Sequence, residues 1–213
     1  MIKTVLFDLD GTILDTNELI IMSFLQVLEN NTPEPLTRDH IIPYMGESLV
    51  DQLRKLSGRH DVDDLVAAYR KISSERHDQY VRLFPDVKEV IQQLRKHQVQ
   101  IGIVTTKARL TTIRGLEYTG IADLVDAVVT SDDVEKVKPD AEPVVQALQL
   151  LKATPQSAIM VGDSAVDIIS ARRAGVQAVG VSWSLKGKSL LEQSGANYMI
   201  DHMRQLYAIV GLE

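Results

Sequence analysis

The sequence predicts an α/β fold in which a doubly wound parallel sheet forms the core and an all-helical cap is inserted into it. From residue 86 onward, apolar segments of strand length alternate with helical patterns, as in a parallel sheet with helical crossovers. The chain also opens on an apolar strand that ends in Asp8 and Asp10. Residues 17–81, between these two parts, show helical patterns and no strand signal. The predicted core is therefore Rossmann-like, with a helical insertion.

The first strand leads directly into a predicted helix. Asp15 and Glu18 have the spacing of a capping box, so we expect this helix to run from near Asn17 to about Asn31. Two prolines in the segment 32–35 then end it. Residues 37–81 follow as shorter helices separated by glycine and proline, the last of which is a long amphipathic stretch up to residue 80.

The helical block predicts the domain organisation. It interrupts a βαβ pattern directly after the first strand, so we expect a core domain of residues 1–14 and 82–213 and a cap domain of residues 15–81. The alternative is that residues 17–81 pack on one sheet face as ordinary crossover helices, although crossovers of that length are uncommon.

The rest of the core is predicted from apolar runs and helical periodicity. The expected strands are Ile101 to Thr105, Ala127 to Thr130, Ile159 to Gly162 and Ala178 to Val181, with an edge strand at Tyr198 to Ile200. The expected helices are Val87 to Lys96, Leu110 to Tyr118, Ala141 to Leu151, Ala165 to Ala174 and Ser189 to Gln193.

Composition limits the partners and the compartment. Of the 213 residues, 45% are hydrophobic and 24% charged, which is ordinary for a globular protein and argues against disorder. The net charge of −6 argues against a nucleic-acid or membrane partner, and an anionic substrate would need a local cation such as a metal. The chain has no cysteine, no signal-peptide pattern and no apolar stretch that could span a bilayer. We therefore expect a cytoplasmic protein, either a monomer or a small homo-oligomer.

Polar residues follow four of the predicted strands. They are Asp8 and Asp10 after the first, Thr105 with Thr106 and Lys107 after the second, Lys138 after the third, and Asp163 with Asp167 after the fourth. Right-handed crossovers bring the carboxyl ends of parallel strands to one edge, so we expect these side chains to converge. A single strand-end aspartate is more often a turn former or helix cap, but the joint occurrence favours a functional site.

The set suits transfer of a phosphoryl group. With a reference pKa of about 3.9, Asp8 would be ionised at neutral pH, so it could attack phosphorus and form an aspartyl-phosphate. Asp10, two residues on, could transfer protons. Lys138 and the Thr105 hydroxyl would hold the equatorial oxygens of the phosphoryl group. We expect Gly11, Thr12, Thr106 and Lys107 beside them to contact the substrate.

Magnesium is the predicted cofactor because carboxylate attack on an anionic phosphate is repulsive without a cation. Asp8, the backbone carbonyl of Asp10 and Asp163 would supply oxygen ligands. Asp167, one helical turn beyond Asp163, would orient that ligand or hold a metal-bound water. The expected partner is thus a small phosphorylated substrate.

These motifs resemble the haloacid dehalogenase superfamily of phosphatases over essentially the whole chain. They stand as Asp8-Leu9-Asp10-Gly11-Thr12, Thr105, Lys138-Pro139-Asp140 and Gly162-Asp163-Ser164-Ala165-Val166-Asp167. The resemblance implies that Asp8 is the nucleophile and Asp10 the general acid and then base. It also implies magnesium on Asp8, Asp10 and Asp163, and a helical cap after the first motif.

Within the superfamily, residues 102–109, 132–140 and 180–187 are similar to PpaX-type inorganic pyrophosphatases, and phosphoglycolate phosphatases share much of the pattern. Asp86 and Ala141 depart from it, because many relatives have glycine and proline there. In capped relatives the loop that here contains Gly46 and Glu47 reaches the active site, which implies substrate contact. The alternative is that Gly46 only separates two helices.

Two classes of function remain open from the sequence. The first is a phosphohydrolase acting on pyrophosphate, or alternatively on phosphoglycolate, another small phosphomonoester or a sugar phosphate undergoing internal transfer. The second is a response-regulator receiver, which stores a phosphoryl group at strand-end acids. A receiver takes its acid pair and its phosphorylated aspartate from different strands, whereas one strand here supplies both Asp8 and Asp10.

Overall fold

The computed structural model describes residues 1–212. Within them the strands are β1 (Thr4–Phe7), β2 (Leu14–Asp15), β3 (Arg82–Leu83), β4 (Gln100–Val104), β5 (Ala127–Val129), β6 (Ala158–Gly162), β7 (Gln177–Val181) and β8 (Tyr198–Ile200). The α-helices are α1 (Asn17–Leu28), α2 (Arg38–Ile41), α3 (Leu49–Ser57), α4 (Asp63–Tyr80), α5 (Val87–Lys96), α6 (Arg109–Tyr118), α7 (Glu142–Leu151), α8 (Ala165–Arg173), α9 (Lys188–Gln193) and α10 (Leu206–Val210). No helix in this range is both long and apolar enough to cross a membrane.

Six parallel strands form the main sheet in the order β5-β4-β1-β6-β7-β8, which confirms the predicted fold class. The chain builds outward from β1 through β4 and β5, and then crosses to β6 on the other side of β1. The strand order therefore reverses at β1. In open α/β sheets, ligands bind in the crevice at the carboxyl ends of the strands at such a reversal.

The sheet is buried on both faces. Val5 and Phe7 of β1 belong to an apolar cluster with side chains of α5 and α10, whereas Leu6 belongs to a second cluster with side chains of α7 and α8. This alternation follows from the two-residue period of a strand. Because both faces are covered, only the ends of the strands remain open to a ligand.

The helices between residues 17 and 81, called the helical segment below, have an apolar cluster of their own. All members of this cluster lie between residues 20 and 72, and the fully buried Phe24 stacks at 4.8 Å, between ring centroids, on Tyr69. The strands β2 and β3 pair antiparallel where the chain leaves the sheet and returns to it, with Leu14 opposite Leu83. These contacts fit the predicted domain division, which itself stays a prediction.

The predicted elements of the sheet recur with small shifts at their ends. The helix α5 and the strand β8 have the expected bounds, while β4, β6 and β7 each begin one residue earlier than expected. The strands β2 and β3 were not predicted, because two residues are too few to show a periodicity.

The helix α1 begins at Asn17 as predicted, but the predicted capping box is absent and the predicted end is wrong. Thr16 precedes the helix and no side chain caps it, because Asp15 lies in β2 and Glu18 binds Arg38 at 2.8 Å. The helix also ends at Leu28, three residues before the expected end. The Thr16 hydroxyl instead donates to Asp10 Oδ1 at 2.7 Å, so it serves the strand-end carboxylate.

Candidate active site

The strand-end residues converge at the reversal point of the sheet, as their pattern predicted. Asp8 follows β1, Thr105 follows β4 and Asp163 follows β6, and each is at most 6% exposed. Lys138 reaches the same place from the connection between β5 and α7 and is 3% exposed. The parallel sheet thus gathers groups that are up to 155 residues apart, from Asp8 to Asp163, into one buried cluster.

Lys138 is the centre of the polar network. Its Nζ donates to Asp8 Oδ1 at 2.6 Å, to Asp167 Oδ1 at 2.6 Å and to the carbonyl of Val104 at 2.8 Å. An ammonium group has three protons, so all its donors are used. Asp167 Oδ2 in turn accepts from the backbone and hydroxyl of Ser164 at 3.0 and 2.5 Å. Asp167 therefore orients Lys138 and, as the third residue of α8, forms the capping box with Ser164 at the start of that helix.

Burial strongly perturbs the ionisable groups of this network. Desolvation, together with the charges of Asp167 and Asp163, raises the pKa of Asp8 to about 8, although Lys138 acts in the opposite direction. Burial alone would lower the pKa of Lys138, but Asp167 and Asp8 outweigh it and the pKa is raised. The reference value for an exposed aspartate therefore does not apply to Asp8: its ionised form needs nearby positive charge.

A cation would fit between three of these carboxylates. Asp8, Asp163 and Asp167 each offer an oxygen atom, and these oxygens lie within 4.8 Å of one another. Burial raises the pKa of Asp163, with Lys186 acting in the opposite direction. Asp163 Oδ1 has no hydrogen-bond donor among residues 1–212, while Oδ2 accepts from Lys186 at 2.8 Å. Buried carboxylates with an unused oxygen are suitable ligands for a hard divalent cation.

Asp10 lies at the edge of the cluster rather than inside it. Lys107 Nζ donates to both of its carboxylate oxygens, at 2.8 and 2.9 Å, and the Thr16 hydroxyl also donates to Oδ1. The Asp10 side chain is 20% exposed, so it faces the open side of the site. Its position is therefore fixed from two sides, by the loop after β4 and by the start of α1.

Gly11 and Thr12 lie behind the carboxylates. Gly11 has a φ of +85°, and a Cβ there would be 2.7 Å from Asp163 Oδ2, so both the turn and the close approach require glycine. Thr12 is fully buried and donates to Asp8 Oδ2 at 3.3 Å. Neither residue lines the cavity described next, and their contact with substrate stays a prediction.

A cavity of about 220 Å³ opens between the strand ends and the helical segment. On the sheet side it is lined by Asp8, Asp10, Thr105, Thr106, Lys107 and Asp163. The opposite wall includes the apolar side chains of Leu19, Ile20, Met45, Leu49 and Val50. The cavity thus has a charged floor and a largely apolar roof, an arrangement typical of small-molecule sites.

The loop with Gly46 and Glu47 reaches the cavity. The Thr106 hydroxyl donates to the carbonyl of Gly46 at 3.0 Å, which links the helical segment to the sheet. Gly46 has a φ of +97°, and a Cβ there would be 2.8 Å from Ser164 Oγ. The Glu47 carboxylate, although it lines the cavity, binds Lys55 at 2.6 Å. Contact of these two residues with substrate remains a prediction.

Comparison with known proteins agrees with this geometry. Residues 5–181 match the family model described as haloacid dehalogenase-like hydrolase. The chain belongs to the haloacid dehalogenase-like hydrolases. A pyrophosphatase PpaX from Bacillus cereus is 44% identical over 209 residues, which cover 98% of this chain and 96% of that protein.

Solved structures of the family have the same fold. A Bacteroides fragilis protein is 30% identical with a TM-score of 0.88, and the match covers 97% of this chain and 100% of that one. A haloacid dehalogenase-like family hydrolase from Streptococcus pneumoniae is 25% identical with a TM-score of 0.85, covering 98% of both chains. The sequence resemblance to the haloacid dehalogenase superfamily is confirmed, as is assignment to the hydrolases.

One charged residue of this hydrolase site was not predicted. The side chain of Lys186 is 4% exposed and binds Asp163 at 2.8 Å. The neighbouring Ser184 hydroxyl donates to the carbonyl of Asp163 at 2.6 Å. Lys186 follows β7, so the rule that identified the other residues, polar groups just after parallel strands, could have found it.

Proposed function

We propose that this protein is a magnesium-dependent phosphohydrolase that cleaves inorganic pyrophosphate to phosphate through an aspartyl-phosphate on Asp8. The observation that carries the proposal is the buried Asp8 carboxylate, held at 2.6 Å by Lys138 at the floor of a cavity that Asp163 also lines. The 44% identity to a pyrophosphatase over 98% of the chain supports the choice of substrate.

In the first step, an Asp8 oxygen attacks the nearer phosphorus atom and the bond to the bridging oxygen breaks. Asp8 becomes an acyl phosphate, and the other phosphoryl group departs as phosphate. Lys138 fixes the direction of the nucleophile through its contact with Oδ1. Thr105, which lines the cavity, would donate its hydroxyl to an equatorial oxygen of the transferred group.

In the second step, water attacks the phosphorus of the acyl phosphate, which releases the second phosphate and restores Asp8. Asp10 would protonate the leaving group in the first step and accept a proton from the water in the second. Its contacts with Thr16 and Lys107 hold it at the cavity wall, where it can serve both steps. One carboxyl group can do both because each step reverses its protonation state.

Magnesium would be held by Asp8, Asp163 and the backbone carbonyl of Asp10. The proximity of the Asp8 and Asp163 carboxylate oxygens supports this proposal, as does Asp163 Oδ1, since Lys186 binds the other oxygen, Oδ2. The ion supplies charge neutralisation between the anionic substrate and the anionic nucleophile. Lys138 and Asp167 pair with each other beside it and keep the Asp8 carboxylate in place.

Residues 15–81 would act as a cap over a core of residues 1–14 and 82–213. Their separate apolar cluster supports this role, as does the contact of the Gly46 carbonyl with Thr106 across the cavity. The pair β2 and β3 would form the joint between the two parts.

The direct test is phosphate release from pyrophosphate, phosphoglycolate and several sugar phosphates at one magnesium concentration. We expect the largest kcat/KM with pyrophosphate and no turnover without a divalent cation. Phosphate release that is largest with another compound would reject pyrophosphate as the substrate. With pyrophosphate, a long-lived acyl phosphate and release of no more than one equivalent of phosphate per protein would instead favour the receiver-like function.

A small organic phosphomonoester such as phosphoglycolate is the second candidate. The apolar roof formed by residues such as Leu19, Met45 and Leu49 favours it, because pyrophosphate has no carbon atoms to bury there. The same substrate panel separates the two candidates.

A further inference from the structure

The helix α4 contributes an arginine to the lining of the cavity. Tyr69, Arg70 and Ser73 of this helix all line the cavity, and spacings of three and four residues place Arg70 and Tyr69 on the same side of the helix as Ser73. The same cavity is lined by Asp8 and Asp10, so this side of α4 faces the strand-end carboxylates. Arg70 is therefore a cation on the roof, opposite the floor where Asp8 lies.

The other cations of the cavity are already paired. Lys107 Nζ binds both oxygens of Asp10, and Lys186 Nζ binds Asp163 at 2.8 Å. Arg70 is exposed and forms no ion pair with a carboxylate within 4.0 Å among residues 1–212. Its guanidinium is thus the one lining cation, within the described part of the chain, whose charge no side chain neutralises.

A substrate with two anionic groups needs a second positive group. The nearer phosphoryl group would lie on the floor beside Asp8, and the farther group would point toward the roof. The rest of that wall is apolar or polar but uncharged, apart from Glu47, which is negatively charged and bound to Lys55. An anion placed against such a wall is destabilised unless a cation pairs with it.

We propose that Arg70 binds the oxyanion at the far end of the substrate, which is the phosphate that leaves in pyrophosphate hydrolysis. This inference rests on the proposed function and assigns its leaving-group specificity to one residue of α4. The planar guanidinium can donate two parallel hydrogen bonds to two oxygens of one phosphate. Substrates without an anionic leaving group would not use it.

The test compares pyrophosphate with phenyl phosphate, which offers the same transferred group but an uncharged leaving portion. We expect Arg70→Gln to lower kcat/KM for pyrophosphate about 10- to 100-fold, as for loss of a charged hydrogen bond. The same variant should change kcat/KM for phenyl phosphate by less than about threefold. Arg70→Lys keeps the positive charge but cannot donate the two parallel hydrogen bonds of a guanidinium, so it should recover only part of the lost kcat/KM.

Lys71→Gln is the matched control. It removes the same charge from the next position of α4, which is also exposed but does not line the cavity. We expect it to leave both substrates and the unfolding midpoint unchanged. Equal losses on both substrates in Arg70→Gln, or no loss on either, would overturn the role of Arg70 while leaving the proposed function in place.

The wild-type protein tests the proposed function separately. If it cleaves phosphoglycolate but not pyrophosphate, pyrophosphate is rejected, and the same variants are then measured with phosphoglycolate, whose carboxylate is also an oxyanion. A selective loss with that substrate would still support the role of Arg70. A wild-type protein that cleaves phenyl phosphate but neither pyrophosphate nor phosphoglycolate would reject both proposals.

Discussion

At the scale of single residues, the site depends on the way Lys138 joins two carboxylates. Its three donors reach Asp8, Asp167 and the carbonyl of Val104, which leaves no freedom for the ammonium group to turn. Removing one partner of such a buried set exposes the others to an uncompensated charge. Substitutions that keep the shape and the hydrogen bonds are therefore the most informative ones.

Asp8→Asn should abolish turnover of every substrate. The amide keeps the shape of the side chain but is no nucleophile toward phosphorus, so we expect kcat to fall by more than about 10⁴-fold. The unfolding midpoint should remain measurable and cooperative, since Asp167 still pairs with Lys138. Phosphate release close to that of the wild type would rule out the covalent scheme.

The effect of Asp10→Asn on the rate should depend on the leaving group of the substrate. Phosphate is a weak base that leaves with little protonation, whereas an alkyl alcohol needs an acid worth about 10²- to 10⁴-fold in rate. We expect formation of aspartyl-phosphate to slow less with pyrophosphate than with an alkyl phosphate, measured in single turnovers. Thr16, which donates to Asp10, provides a control, because Thr16→Ser keeps the hydroxyl. Equal slowing on both substrates would contradict the assignment of Asp10 as the acid.

The sequence was informative about the residues that follow strands and less so about their surroundings. Asp8, Thr105, Lys138 and Asp163 could be found because a parallel sheet brings all its carboxyl ends to one edge. The raised pKa of Asp8 could not be found, because it comes from burial among groups that are distant in sequence. The residue Lys186 could have been found by its position after a strand, but its pairing with Asp163 could not, because that contact joins two different strand ends in the folded protein.

At the scale of elements, the loop after the turn at residues 42–44 connects the helical segment to the sheet. The Gly46 carbonyl accepts from Thr106, and the α-carbon lies against Ser164 at the start of α8. This approach is possible only because glycine has no side chain and tolerates a φ of +97°. The loop and the sheet edge therefore fit together at a single residue.

Gly46→Ala should impair activity more than stability. The added Cβ would meet Ser164 Oγ at 2.8 Å and push the loop from the cavity, so we expect kcat/KM to fall about 10- to 100-fold. Gly58→Ala is the matched control, since Gly58 has a φ of +71° but nothing within 4 Å of an added Cβ. In both variants the alanine must adopt a positive φ, which should lower the free energy of unfolding by about 1 kcal/mol.

Comparison of Gly46→Ala with Gly58→Ala separates the effect of the loop's close approach to the sheet from the effect of backbone strain. If both glycine variants lose stability to a similar extent but only Gly46→Ala loses activity, the loop's approach to the sheet is required for turnover. Equal activities of the two variants would show that the approach has no part in catalysis.

At the scale of the whole molecule, the buried carboxylates make the free energy of unfolding depend on the binding of protons and of metal. The pKa of Asp8 is about 8 in the folded metal-free protein, whereas an unfolded aspartate has a pKa of about 3.9. Between these values the folded state binds a proton that the unfolded chain releases. The free energy of unfolding contributed by this group therefore falls as pH rises from about 4 to about 8.

Magnesium should stabilise the protein more at high pH than at low pH. The ion takes the place of the proton among the carboxylates, so it competes with protons at pH 6 but little at pH 8.5. At about one hundred times Kd we expect a gain of about 3 kcal/mol, or roughly 5 to 10 °C in Tm, at the higher pH.

The measurement is thermal unfolding with and without magnesium at pH 6, 7 and 8.5. Asp8→Asn is the control, because it removes one of the two buried carboxylates whose pKa is raised and should weaken the dependence of the magnesium effect on pH. A gain in Tm that is the same at all three pH values in the wild type would contradict this linkage.

The sequence by itself determined the fold class, the succession of strands and helices in the core and most of the strand-end residues, because hydrophobic periodicity and chain connectivity are local properties. Only the tertiary structure decided which charges meet. It placed Lys138 between Asp8 and Asp167, Lys186 on Asp163 and Arg70 across the cavity. Those pairings depend on distances between segments far apart in the chain, and burial then sets the strength of each charge.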